Sequence, residues 1–315
     1  MDKTRQGTTT KVALALIGIA MATGACAQDG DAQGDNETTE VASALGPNAP
    51  WVTWHQVTGI LKDIDMSNAS ARWGINTGAY MEGFQVVRWV GDRWFTRPMG
   101  GVQIAVLDSI PIVVTNTGKI WKANNTNGTS WTQMSALPDN DVATAIGAGN
   151  GAIWVVGQLK PELGGNGRVY MRNGFGGGWA EATRSGTRVA VSCDPIPPKN
   201  VSLLDSLGNV FRGFDTNRPD PSWGILDNLG SGLTDVALAH GTDPSVFSVF
   251  GYQSGPFVTR SGGSSSLLVT TFNGDFFNAV GSYPVAGGFP KAVSADCSNN
   301  RIWIVNNDGR LYYGD

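Results

Sequence analysis

The chain has 315 residues, of which 43 are Gly, only 15% are charged and just two are His, with a net charge of −4. A mildly acidic balance with no basic run excludes nucleic acid and anionic membrane surfaces as natural partners. With His55 and His240 alone, metal binding and acid–base catalysis have little to work with.

Residues 1–26 read as an export signal. Lys3, Arg5 and Lys11 form a basic start, and Val12 to Ala22 is an apolar run too short to span a membrane. Two cleavages fit the segment Thr23-Gly24-Ala25-Cys26. A lipobox-like reading makes Cys26 a lipidated N-terminus, and a small-x-small reading at Ala25-Cys26-Ala27 releases a soluble protein. Both predict an exported protein, anchored at the cell envelope or secreted, that meets a membrane only through a lipid on Cys26. Cleavage before Cys26 removes three basic residues and one acidic one, taking the net charge from −4 to −6. Residues 27–50 carry Asp29, Asp31, Asp35, Glu37 and Glu40 with few large apolar groups, which predicts a disordered acidic tether. Export permits a Cys193–Cys297 disulfide. The two cysteines fall at equivalent strand ends two repeats apart, however, which favours buried free thiols.

From Trp51 to Asp315 the pattern is one short strand after another. Trp-led segments begin at Trp54, Trp94, Trp131, Trp179 and Trp223, with Phe277 in the same role. Three strand-like runs lie between successive leads. In the first repeat they are Leu61–Ser67, Ala71–Thr77 and Phe84–Val90; in the fifth, Leu233–Gly241, Ser245–Tyr252 and Pro256–Ser261. Thr117-Gly118, Leu207-Gly208, Ser254-Gly255 and Asp308-Gly309 recur between the second and third runs, where Gly permits the positive φ of a tight hairpin. Six units of about 40–45 residues predict an all-β, six-bladed β-propeller of four-stranded blades. The last repeat stops at its third strand and the first lead strand has no unit before it, so the N-terminal strand is expected to complete the last blade.

Three segments resemble the tectonin repeat: W-H-Q-V-T-G-I-L-K-D-I-D with A-R-W-G-I-N from Trp54, W-T-Q-M-S-A with A-I-W-V-V-G from Trp131, and R-I-W-I-V-N-N-D-G-R-L-Y-Y from Arg301. The likeness runs over 51–315. Repeats two, four and five lack the Trp of the second strand. Tectonins and the related tachylectin and fish-egg lectins are six-bladed propellers that bind surface glycans. The resemblance thus implies a carbohydrate-binding protein with lipopolysaccharide or modified sugars among its partners. The alternative is a surface scaffold that binds proteins.

The recurring Trp residues, among them Trp73, Trp154 and Trp303, read first as packing between blades. Loop residues are better contacts for sugar hydroxyls, though Asn and Gly also simply form turns. The candidates are Asn124, Asn125 and Asn127 after one third strand, Asn173 and Phe175 after the next, and Asp215 and Asn217 in the fourth repeat. Tyr313 joins them, with Trp89 and Tyr80 as weaker candidates. No nucleophile elbow, metal-ligand spacing or phosphate loop is present, so the chain reads as a non-enzymatic protein without metal or cofactor. The scattered carboxylates leave open one alternative, a pair facing each other across the central channel.

Overall fold

The structure is a computed structural model that describes residues 54–66, 71–191, 200–214, 216–225, 233–240, 247–253, 266–273, 276–284, 290–296, 301–306 and 308–314. Residues 1–50, which include Cys26 and were read above as signal and tether, lie outside the described residues together with Cys193, Asp215 and Cys297.

The described residues form antiparallel meanders with strands labelled in chain order. The first is β1 (Trp54–Met66), β2 (Arg72–Tyr80), β3 (Gly83–Val90) and β4 (Arg93–Gly101). The second is β5 (Gln103–Leu107), β6 (Ile110–Val114), β7 (Ile120–Ala123) and β8 (Trp131–Gln133). The third is β9 (Ala145–Gly149), β10 (Ala152–Lys160), β11 (Asn166–Asn173) and β12 (Ala180–Glu181). The fourth is β13 (Arg188–Val191), β14 (Asn200–Leu204), β15 (Val210–Phe214) and β16 (Ser222–Ile225). The fifth is β17 (Leu233–His240), β18 (Phe247–Gln253), β19 (Ser266–Asn273) and β20 (Phe276–Pro284). The last strands are β21 (Pro290–Asp296), β22 (Arg301–Asn306) and β23 (Arg310–Gly314).

Hydrogen bonding gathers these strands into four four-stranded sheets and one of seven strands, ordered β21-β22-β23-β1-β2-β3-β4. The sequence reading of six four-stranded blades thus meets a sheet of seven strands, and the cause is β1. The Trp54 lead and the Leu61–Ser67 run, read as two strands, are one continuous strand of 13 residues. Its first half pairs with β23, from Trp54 opposite Gly314 to Ile60 opposite Arg310. Its second half pairs with β2, from Leu61 opposite Asn76 to Met66 opposite Arg72. A bulge between Val57 and Ile60 separates the halves, and Gly59 sits there at φ +130°, which an L side chain rarely adopts. The innermost strands touch in the order β1, β5, β9, β13, β17, β21 and back to β1. The Trp-led segments become the outermost strands β4, β8 and β16, and Trp179 directly precedes β12.

One strand differs from its expected position. The third strand of the fifth sheet is Ser266–Asn273, not Pro256–Ser261. The run Leu267 to Phe272 offers the apolar and β-branched residues a strand favours, and Pro256–Ser261 lies outside the described residues. Of the expected hairpin glycines, Gly118, Gly208 and Gly309 adopt φ of 75°, 80° and 86°. Gly255 lies outside the described residues.

The core is divided between neighbouring sheets. Trp73 on β2 and Trp154 on β10 are fully buried. Each meets the Trp of the next sheet's outer strand edge-on: Trp73 against Trp131 at 6.5 Å and 84°, Trp154 against Trp223 at 6.1 Å and 89°. Trp303 is buried in a cluster against which Trp94 packs, and its nearest ring partner is Tyr313 at 5.0 Å. In the second repeat the second-strand position holds Ile112, and Trp179 of the following sheet packs against that cluster. Trp154 also donates its indole N–H to the Thr216 carbonyl at 2.9 Å, so its polar edge is satisfied across the interface. Truncating this ring leaves a cavity that flat sheets cannot close. Trp154→Ala is expected to cost about 3–5 kcal/mol in urea denaturation. The double variant with Trp223→Ala should lose less than the sum of the single losses, because the rings share one contact.

Candidate binding sites

Two concave regions hold chemically distinctive side chains. The first is the channel between the innermost strands, a cavity of about 60 Å³ whose walls include Asp63, Asp65, Arg188, Asp235 and Ser294. Asp63 and Asp65 alternate on β1 and so point to one side of it. The Asp63 carboxylate accepts the Ile104 N–H at 2.8 Å, and that of Asp65 accepts the Val106 N–H at 2.7 Å. Both donors belong to β5, whose only sheet partner is β6. The two carboxylates therefore satisfy N–H groups on the free inner edge of the neighbouring sheet. Ser294 donates to the other oxygen of Asp65 at 3.0 Å, and the Arg188 guanidinium lies 4.0 Å from the Asp235 carboxylate. One mouth of the channel opens into a cavity of about 270 Å³ bordered by Lys62, Phe84, Gln103 and Asp235.

Burial pushes both carboxyls up to about 7, with Asp235 adding repulsion at each and the β5 N–H groups opposing the rise. Asp63 and Asp65 share one strand, so they are not the pair facing each other across the channel that the scattered carboxylates left open. One oxygen of each is taken up by a backbone donor of β5, which is the work of a clasp between sheets. Among the described residues, no group of three or more His, Cys, Asp or Glu side chains is placed to hold a metal ion.

The second region is a cleft of about 390 Å³ between the first and second meanders, lined by Met81, Glu82, Pro98, Met99, Trp121, Thr129, Ser130 and Trp131. The β7–β8 hairpin aims both rings the same way: Trp121 and Ala123 are two apart on β7, and Trp131 lies opposite Ala123. Trp131 donates its indole N–H to the Gly128 carbonyl at 3.1 Å, which holds the ring against its own loop. Gly128 is required twice over. Its φ is +63°, and a Cβ would come within 2.5 Å of the Trp73 ring. Across the cleft, Met81 occupies the β2–β3 hairpin tip at φ 45° and is 77% exposed. Glu82 is held below the usual carboxylate range by hydrogen bonds from Lys119, at 2.6 Å, and Thr117, at 2.9 Å.

The expected loop residues are mostly occupied in shaping their loops. The Asn125 carbonyl oxygen accepts the N–H groups of Asn127 and Thr129, and its amide donates to the Thr129 hydroxyl at 2.8 Å. Asn124 bonds the Ser130 and Thr132 hydroxyls, and Asn127 accepts from Arg88. These three asparagines form the wall behind Thr129 and Ser130, so they build the cleft without lining it. Asn173 reaches the Asn217 carbonyl at 3.4 Å, which brings two of the predicted residues together at neighbouring loops. Phe175 packs against the core between the second and third meanders. Tyr313 stacks on His55 at 4.7 Å and leans on Trp303 at 5.0 Å, well inside its sheet. The predicted residues thus do not converge on one site. Trp121, Met81 and Pro98 were not among them, although W-K-A followed by Trp131 across a hairpin was the available signal.

The channel clasp has a pH signature. A carboxyl raised from about 3.8 unfolded to about 7 folded binds its proton more tightly in the native state. Its stability contribution is therefore fully present below pH 4 and is lost as pH rises to 7. The loss should be about 2–4 kcal/mol in denaturation midpoints measured from pH 4 to pH 8. Asp65→Asn, which keeps one acceptor for Val106, should flatten the slope; stability that climbs over this range would overturn the assignment.

No family model matches the sequence, and no curated protein does. Similar solved structures include XC5397 from Xanthomonas campestris, a gluconolactonase, which is 12% identical with a TM-score of 0.58 over 87% of this chain and 93% of that one. A chain of the mitotic checkpoint complex is 8% identical with a TM-score of 0.53 over 92% and 98%. YCF48 bound to D1 peptide is 13% identical with a TM-score of 0.46 over 87% and 97%. At such identities the first two likenesses are ones of fold, and with the sheet order and the ring of inner strands they make this chain an all-β propeller of four-stranded blades.

Proposed function

We propose that the chain is a six-bladed, non-catalytic propeller that binds carbohydrate in the cleft between its first two blades. The seven-stranded sheet is read as two blades sharing β1, a count supported by the cyclic contacts of six inner strands. The observation that carries the ligand reading is the Trp121/Trp131 pair. Two indoles open to one cleft offer flat apolar surface to the C–H face of a sugar ring, and the Thr129 and Ser130 hydroxyls offer hydrogen bonds to its edges. The tectonin-like repeats point the same way. The basic start and the Val12–Ala22 run support an exported protein held at the cell envelope by a lipid on Cys26 or released from it.

One observation favours a protein partner as the second reading. Met81 and Met99 border the cleft with Pro98, and polarizable thioethers suit the side chains of an apolar peptide. A glycan array separates the two, with Trp121→Leu as the control that keeps bulk but removes the indole. Discrete hits, competed by free sugar and weakened roughly tenfold by Trp121→Leu, are expected. A blank array from a folded sample would sink the carbohydrate reading and leave the protein partner, whose binding Met81→Asp should then abolish.

A further inference from the structure

The face of the first blade that turns toward the cleft continues beyond it as a row of arginines. On β4, Arg93 and Phe95 share one side, and Arg88 on β3 is the cross-strand partner of Phe95 and joins them; Arg97, at the start of a bulge in β4, reaches the same ring. That side is the one facing the second blade, because Val86 and Met99 pack there with Trp73, Trp121 and Trp131. Arg93 and Arg97 lie over the Phe95 ring at 5.0 and 6.0 Å, and Arg88 lies over Trp73 at 5.6 Å. The row is tied to the cleft at both ends. Arg97 adjoins Pro98 in its wall, and Arg88 bonds Asn127 in the loop that carries Thr129 and Ser130.

These cations lack the counter-charges that a protein of net charge −4 could supply. No carboxylate of the described residues lies within 4.0 Å of Arg88, Arg93 or Arg97. The Nε atoms of Arg88 and Arg97 are shielded from solvent and make no hydrogen bond. Burial, then the nearby Arg88 charge, holds the Arg97 guanidinium below its ordinary range. Two like charges held side by side on aromatic supports, with no carboxylate of the described residues against them, are arranged for an anion from outside.

We propose that the cleft recognises an acidic sugar unit, with its ring against Trp121 and Trp131 and its carboxylate or phosphate bound by Arg88 and Arg97. A planar guanidinium pairs with either anion through two parallel N–H donors, so both acids share this recognition chemistry. The inference rests on the carbohydrate reading above and adds the charge of the ligand.

The test is titration calorimetry of the full chain with three probes: oligogalacturonate, its neutral methyl ester, and a phosphorylated mannose oligosaccharide. At low salt at least one acidic probe should bind about tenfold or more tighter than the neutral ester. Raising NaCl from about 0.05 M to about 0.3 M should weaken acidic binding alone. Arg97→Gln should remove the preference and leave ester binding intact, Arg88→Gln should remove the preference as well, and Arg97→Lys should keep part of it. The acid that binds distinguishes carboxylate from phosphate. Equal affinity for acidic and neutral probes, or a preference untouched by either Gln variant, would overturn the proposal and leave the carbohydrate reading standing. If the folded wild type binds none of the probes and no sugar on the array, both fall. Melting curves of each variant exclude loss of fold; the Arg97 guanidinium donates to the carbonyl of its neighbour Thr96, whereas Arg88 also bonds Asn127.

Discussion

A four-stranded sheet of short strands has two apolar faces and cannot cover either by itself. The edge-to-face contact between a second-strand indole and the outer-strand indole of the next sheet answers that constraint. It reaches across the full width of the sheet interface, so it sets both the spacing and the rotation of neighbouring sheets. Trp73 and Trp154 supply the inner ring of the contact, and in the second repeat Ile112 takes that position with Trp179 packed against its cluster. The loops inherit their positions from these contacts. Gly128, for example, must lack a side chain because the Trp73 ring lies directly beneath it.

The same interface leaves the outer cleft where it is not completely filled. Between the first two meanders the inner part is closed by Trp73, Val113 and Ile104, while toward the rim Trp121 and Trp131 keep only part of their surface covered. Aromatic residues recruited for packing thereby keep part of their surface open to the cleft. At the axis the opposite holds. Space is scarce there, and the carboxylates that face it are committed to the edge of β5. The outer cleft is open enough to exchange a ligand, and the axis is a fastening.

Much of this architecture was legible in the sequence. The Trp-led period, the hairpin glycines and the unmatched first and last strands all follow from the alternation of side chains and from turn sterics. Two features were harder to read. The fusion of the Trp54 lead with the Leu61 run depends on a Gly59 bulge that continues a strand where Gly commonly ends one. The third strand of the fifth sheet was misplaced because 256–261 contains Phe257 and Val258, while the competing run at 266–273 wins only through its pairing with both β18 and β20. The site was the least legible part. Asn124, Asn125 and Asn127 have a composition that fits glycan contact and turn formation equally, and only their partners show that they are spent on the turn. Trp121 and the Arg88/Arg97 pair gain meaning from residues in another repeat, which no local pattern discloses.

The shared strand β1 has a consequence for the order in which the ring can be assembled. As the chain emerges from its N-terminus, the Leu61–Met66 half finds β2 at once, but the Trp54–Ile60 half must wait for β23, some 250 residues later. Through that interval it is an open strand edge able to pair with any passing chain, the hazard that slow, long-range β topologies carry. The bulge at Gly59 interrupts the regular ladder in the middle of that waiting half. It twists the strand and makes a stray partner a poor match. Closing the circle thus asks for a partner that accommodates the break at Gly59, and that partner is the strand made last.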